Sequence, residues 1–225
     1  MPTTRTGFTG QLWTAAEPTY QSILRHPFVT GLTDASLDRQ AFRYYVVEDA
    51  VYLTAFARAL SIAAAKAPKD AWILRFNRDA IGSLEAERAL HESYFKEFGL
   101  TESELMSRRP APTTLAYTSY LLATAYERSF SEALASLLPC YWIYAEVGKA
   151  LSEKGSPDPL YQRWIDSYAS EEYDQQVQSI LDIMDEVAEG EGASVRAAMV
   201  ERYTTTSRYE WMFWDMGYRQ ETWPV

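Results

Sequence analysis

Leu134-Ala135-Ser136-Leu137-Leu138-Pro139-Cys140-Tyr141-Trp142-Ile143-Tyr144-Ala145-Glu146-Val147-Gly148 is the stretch from which the fold is read. Leu134, Leu137, Leu138, Tyr141, Tyr144 and Ala145 recur at three and four residues, the spacing of one face of an α-helix. Upstream, Ser129-Phe130-Ser131-Glu132 fits a capping box, with Ser129 as N-cap and Glu132 reaching back. Pro139 then falls inside the helix, where it cannot donate to the carbonyl of Ala135, and a kink is expected one turn before Cys140. Cys140 is the only cysteine of the chain. A free cysteine among aromatic and aliphatic neighbours is by default inert core filling. The alternative is a nucleophile.

The same helical period runs outward in both directions. Phe8 to Arg25 reads as a first helix, ended by His26-Pro27 because the residue before proline disfavours the helical region. Gly31 to Ala35 reads as a turn and Ser36 as the cap of a long helix from Leu37 to Ala65. The stripe of that helix is Phe42, Tyr45, Val46, Asp49, Tyr52, Leu53, Phe56 and Leu60. Asp49 lies on this apolar face, and Glu48 beside it is read as pointing elsewhere. A third helix, from Pro68 or Lys69 to Phe98, closes on Gly99 as a left-handed cap. Thr101-Glu102-Ser103-Glu104 is a second capping box, Pro110-Ala111-Pro112 a break, and Thr113 or Thr114 the cap of the next helix. After the Cys140 helix come a short helix around Pro159 to Ile165, Tyr168 in a connector, and a helix capped by Ser170 and running to Val187. The last helix, Val195 to Tyr218, carries Met199, Tyr203, Thr206, Glu210, Phe213, Trp214 and Gly217 on one side. No segment alternates with period two between hairpin turns, so no strand is expected. The expectation is one all-α domain over residues 1–225, a bundle of seven to nine helices.

Composition narrows the function classes. The chain has 225 residues and a formal charge of −10, which argues against nucleic acid and anionic membrane as partners. No stretch approaches a membrane span. Met1 to Arg5 lacks a charged segment followed by an apolar run, so no signal peptide is expected, and the location expected is cytoplasmic. No metal site is expected: His26 and His91 are the only histidines, neither sits three residues after a glutamate, and Glu87 with His91 reads as a solvated or structural pair. Asp49 with Tyr52, and Glu210 with Phe213, each put a carboxylate one turn from an aromatic on a buried face. A structural ion pair would explain each alone. Together with the thiol, they suit a small-molecule pocket with apolar walls and a few converging polar groups.

Seven segments, in order from about residue 20 to 219, carry a resemblance. They are His26-Pro27-Phe28-Val29, Phe42-Arg43-Tyr44-Tyr45-Val46-Val47-Glu48-Asp49, Tyr52-Leu53-Thr54, Ala116-Tyr117-Thr118-Ser119, Leu138-Pro139-Cys140-Tyr141-Trp142, Tyr161-Gln162-Arg163-Trp164-Ile165 followed by Tyr168, and Tyr209-Glu210-Trp211-Met212-Phe213-Trp214. In these the chain resembles the thiaminase II (TenA) family. One departure is Ala55 before Phe56, where the family often has a histidine.

The resemblance implies a haem-oxygenase-like helical fold, a homotetramer, and no cofactor. It implies hydrolysis of 4-amino-5-aminomethyl-2-methylpyrimidine, and of thiamin, to the hydroxymethyl pyrimidine in thiamin salvage. It further implies Cys140 as nucleophile, Asp49 holding and protonating the aminopyrimidine edge, and Glu210 as acid/base near the leaving group. Tyr52, Tyr117, Tyr144 and Tyr168 would bind around ring and thiol, with Phe213 stacked on the ring. Protonating a ring nitrogen is what makes a pyrimidine electrophilic enough for a thiolate, which explains a carboxylic acid beside the cysteine. The alternative is a non-catalytic pyrimidine- or thiamin-binding or regulatory module of the same fold. An oxidase of the related pyrroloquinoline-quinone-synthase type would need a basic, histidine-lined pocket, which two histidines do not supply.

Overall fold

The computed structural model describes residues 6–99 and 109–225, excepting the side chains of 86–93, 95 and 96. The capping box at Thr101–Glu104 and the Glu87–His91 pair lie outside the described residues. Within them every regular element is helical: α1 Phe8–Leu24, α2 Pro27–Asp34, α3 Arg39–Lys66, α4 Asp70–Phe98, α5 Pro112–Glu127, α6 Phe130–Ser152, α7 Pro159–Tyr168, α8 Glu171–Glu189 and α9 Ala193–Arg219.

The residues group into two compact units, each built from separate stretches of chain. The first comprises the chain up to Leu37 and Ser131–Trp214; the second comprises Asp38–Phe130 and Asp215–Val225.

In the first unit, aromatic rings join helices distant in sequence. Trp13 of α1 lies 4.6 Å from Trp142 of α6, and Phe28 of α2 lies 5.4 Å from Trp214 of α9. Polar ties fix the ends. Asp185 accepts from Thr9 N–H at 2.7 Å and from its hydroxyl at 2.8 Å, so α8 supplies the cap that Gly7 cannot. Tyr161 donates to the Leu37 carbonyl at 2.7 Å. The stretch from Pro27 to Asp34 is a helix rather than leading into a turn at Gly31. Proline at N1 supplies a preset φ, and His26 Nδ1 accepts from Phe28 N–H at 3.1 Å, so a histidine does the capping. Gly31 is an approach point: a Cβ there would meet the Leu37 backbone at 2.9 Å.

In the second unit α3 packs against both α4 and α5. Residues are therefore buried around most of its circumference, Ala41, Val47 and Ala57 as well as Phe42 and Tyr45. Its cap is Asp38, whose carboxylate accepts from Gln40 N–H at 3.1 Å, and not Ser36. Gly99 has φ +63°, the left-handed closure expected for α4. Thr113 and Thr114 do not cap α5. Pro112 takes N1 and Ala111 the cap position, so the helix starts earlier and without a side-chain acceptor of its own.

Candidate active site

Each unit carries its own share of the residues singled out from the sequence. In the first, α6 runs through Pro139 without ending and presents Cys140 half-buried one residue later. The backbone beyond the proline is braced from α8: the Tyr173 hydroxyl is 3.4 Å from the Cys140 carbonyl and donates to that of Tyr141 at 3.2 Å. One turn on, the Tyr144 ring lies 4.9 Å from Tyr168 and 5.1 Å from Trp214. Trp164 closes this group, 4.7 Å from Tyr168 and edge-on to Trp214 at 5.4 Å. Tyr168 is the last residue of α7, not part of a connector, and it comes this near because α6 offers Gly148 there. A Cβ on Gly148 would fall 2.6 Å from the Tyr168 carbonyl carbon.

On α9 the Glu210 carboxylate belongs to a residue only 1% exposed, and Phe213 is equally buried on the same side. Tyr203, two turns earlier, is fully buried. Its phenol is held well above the ordinary tyrosine range, first by burial and then by the negative charges of Glu146 and Glu210. Glu146 in turn pairs with Lys149 at 3.3 Å, and Lys149 also binds Asp174. The first unit thus contains the thiol, an enclosed carboxylate and a cluster of rings.

In the second unit Asp49 is half-buried on α3, and Tyr52 follows one turn later. The Tyr52 ring lies 4.9 Å from that of Tyr117 on α5 and stacks at 5.7 Å on Phe56. Glu48, read as pointing elsewhere, is the more enclosed of the two neighbouring carboxylates, with no exposed surface. Its Oε2 accepts from Ala111 N–H at 3.0 Å and from the Thr114 hydroxyl at 2.7 Å. The reason is that α3 buries more than one face, so a single stripe does not exhaust its interior.

Two residues that shape these surroundings escaped the sequence reading. Tyr173 sits in the first turn of a helix recognised by its Ser170 cap, but nothing local marks its hydroxyl as a brace for α6. Gly148 sits inside a helix, where glycine costs stability relative to alanine; that cost was the available signal of a close approach. Among the described residues no three His, Cys, Asp or Glu side chains are grouped to hold a metal ion. Among them, too, no helix is long and apolar enough to cross a membrane.

Comparison with known proteins narrows what these residues can be for. The model of the TENA/THI-4/PQQC family matches residues 13–220. The aminopyrimidine aminohydrolase of Bacillus subtilis (strain 168) is 40% identical over 217 residues, covering 96% of this chain and 92% of that protein. Among solved structures, the TenA homologue protein from P. horikoshii OT3 is 30% identical, with a TM-score of 0.88 over 95% of this chain and 99% of that one. A domain from Shewanella denitrificans OS217 described as having a heme oxygenase-like fold superposes with a TM-score of 0.71, covering 94% of this chain and 92% of that one. At 14% identity it speaks to the fold alone, which is all-α and haem-oxygenase-like. Matched across nearly all its length by the family model and by a relative far above chance identity, the chain belongs to the TENA/THI-4/PQQC family.

Proposed function

We propose that this chain is an aminopyrimidine aminohydrolase of thiamin salvage, converting 4-amino-5-aminomethyl-2-methylpyrimidine and water to the hydroxymethyl pyrimidine and ammonia. Thiamin is the second substrate, with the thiazole alcohol as leaving group. The observation that carries this reading is Cys140, half-buried on a helix lined by Tyr144 and Trp214, in a chain so similar to a named aminohydrolase.

The chemistry divides among the residues as follows. Asp49 holds the aminopyrimidine edge and delivers a proton to a ring nitrogen. The Cys140 thiolate then forms a carbon–sulfur bond to the ring, whose electrons are accepted by the protonated nitrogen. Those electrons return to expel the exocyclic amine, which leaves as ammonia with a proton from Glu210. Water adds its oxygen to the resulting methylene and gives a proton back to Glu210, and the carbon–sulfur bond then breaks as the ring nitrogen returns its proton to Asp49, restoring the Cys140 thiolate. One hard displacement becomes two easier steps. Tyr52, Tyr117, Tyr144 and Tyr168 bind around ring and sulfur, and Phe213 stacks on the ring. On this reading residues 1–225 act as a single domain, without metal or cofactor, in the cytoplasm.

We also propose a homotetramer. Leu74 and Ile81 on α4, each 56% exposed, and Tyr126 on α5, 77% exposed, are apolar groups that association would cover. Light scattering should return four times the chain mass of 25.7 kDa.

The test of the function is Cys140→Ser. Turnover of both substrates should vanish in a chromatographic assay while calorimetry still registers binding of the hydroxymethyl pyrimidine. Undiminished turnover would remove Cys140 as nucleophile. Binding by the unaltered protein with no product from either substrate would instead make it a non-catalytic pyrimidine-binding module.

A further inference from the structure

Glu48 is fully buried, yet it lies outside the chemistry above. Enclosing a carboxylate costs several kcal/mol unless hydrogen bonds answer it, so its partners show what holds it there. Two of those partners lie at the start of α5, which has alanine at its cap position and therefore no side-chain acceptor for its first amides. Glu48 supplies the acceptor for Ala111 N–H from 63 residues away. Glu221, in the segment after α9, supplies it for Thr113 N–H at 2.9 Å. That segment is tied down in turn: the Tyr44 hydroxyl donates to the Glu221 carbonyl, and Trp223 Nε1 donates to the Pro110 carbonyl at 3.0 Å. Two carboxylates from distant parts of the chain thus cap one helix, where the helix dipole favours negative charge.

The position of these bonds along α3 and α5 matters more than their number. Glu48 meets Thr114 through a 2.7 Å hydrogen bond. One turn further along α3 comes Tyr52, one turn further along α5 comes Tyr117, and their rings meet at 4.9 Å. The two pairs are successive rungs of one seam. Ring contacts tolerate sliding, whereas a hydrogen bond to a buried carboxylate does not, and fixing register is the best-attested use of a buried polar group. We propose that Glu48 is a positioning residue: its bonds to Ala111 and Thr114 set the register of α5 against α3 and so hold Tyr117 opposite Tyr52 where the substrate binds. The proposal rests on the aminohydrolase reading.

The experiment compares the unaltered protein with Glu48→Gln, Glu48→Met and Thr114→Val, measuring kcat and KM for the aminomethyl pyrimidine, Kd for the hydroxymethyl pyrimidine, and Tm. Gln keeps an acceptor oxygen; Met fills the space without one; Val removes only the donor hydroxyl. Glu48→Met and Thr114→Val should raise KM and Kd together, by on the order of ten- to a hundredfold for a misplaced binding wall, with a smaller change in kcat. Glu48→Gln should restore KM and Kd to near the starting value. A folded Glu48→Met with unchanged KM overturns the proposal. Where Glu48→Met fails to fold, unchanged KM in Thr114→Val overturns it equally. An unaltered protein that neither turns over nor binds the pyrimidine defeats the functional reading instead, and the substrate-positioning role with it.

Discussion

Replacing Gly148 by alanine tests the packing around Cys140 with a single methyl group. The added Cβ would lie 2.6, 2.7 and 2.8 Å from the carbonyl carbon, Cβ and oxygen of Tyr168. None of these atoms can rotate away, since two are backbone and the third is bonded to it. Ordinary contact begins at 3.4 Å, so the end of α7 must retreat by about 0.8 Å. There is little slack for that, because Ser170, two residues on, already caps α8 through Tyr173 N–H. Overpacking of this kind costs roughly 1–3 kcal/mol. For a chain of this size each kcal/mol lowers Tm by about 2–4 °C, so a fall of about 2–12 °C is expected in a calorimetric scan. The Tyr144–Tyr168 contact moves with it, and a displacement approaching 1 Å at a binding wall can cost about a hundredfold in kcat/KM. Gly148→Ser should be at least as harmful. A Gly148→Ala protein with unshifted Tm and kcat/KM would show that α7 yields freely, and the account of Tyr168 as a rigidly placed group would be wrong.

His26→Ala removes the acceptor for Phe28 N–H and should lower stability by about 1 kcal/mol in urea unfolding, as for other lost N-caps. Tyr203→Phe deletes a buried hydroxyl that has no hydrogen-bond partner among the described residues; relief of its desolvation should leave stability unchanged or raise it by up to about 1–3 kcal/mol. Burial raises the phenols of both Tyr20 and Tyr203 above their ordinary value of 10.0. The folded state therefore retains those protons where the unfolded chain releases them, so the stability they support is intact below pH 10 and should fall as pH rises beyond it, less steeply in Tyr203→Phe. Pro139→Ala restores an amide donor inside α6: about 3 kcal/mol of helix propensity outweighs about 1.6 kcal/mol for two buried methylenes lost. Tm should rise while turnover falls, if the proline aims the thiol.

The order and type of the elements were legible because nearly every helix announces itself locally. Asp38, Asp158 and Ser170 accept from Gln40, Leu160 and Tyr173 amides as short polar caps do. Gly99 and Gly155 take up positive φ where helices end. The cap of α3 falls on Asp38 rather than Ser36, two local candidates two residues apart; the other boundary readings that failed share one cause. At α2, α5 and the end of α7, the decisive group comes from elsewhere in the chain or from an uncommon residue type. His26 caps α2, Glu48 and Glu221 cap α5, and Gly148 makes room for another turn of α7. Capping by an adjacent serine has a sequence signature; capping by a glutamate over a hundred residues away has none.

The same distinction separates what could be read of the candidate site from what could not. A stripe at helical spacing marks Glu210 and Phe213 as buried, as they are, because the face of α9 that carries them is continuous from Met199 to Trp214. On α3 the argument from spacing assigns Asp49 inward and Glu48 outward, yet Glu48 is the fully enclosed one. The cause lies in packing. A helix held between two neighbours has two buried faces, and the alanines at 57, 59, 63 and 64 let those neighbours approach without forming a second bulky stripe. Where a long helix has one aromatic stripe and small residues around the rest, a carboxylate off the stripe is as strong a candidate for burial as one on it. In this chain the pair differ in surroundings as well as in burial. Asp49 is half-buried, while Glu48 is enclosed and directs two hydrogen bonds at the start of α5, the helix on which Tyr117 stands.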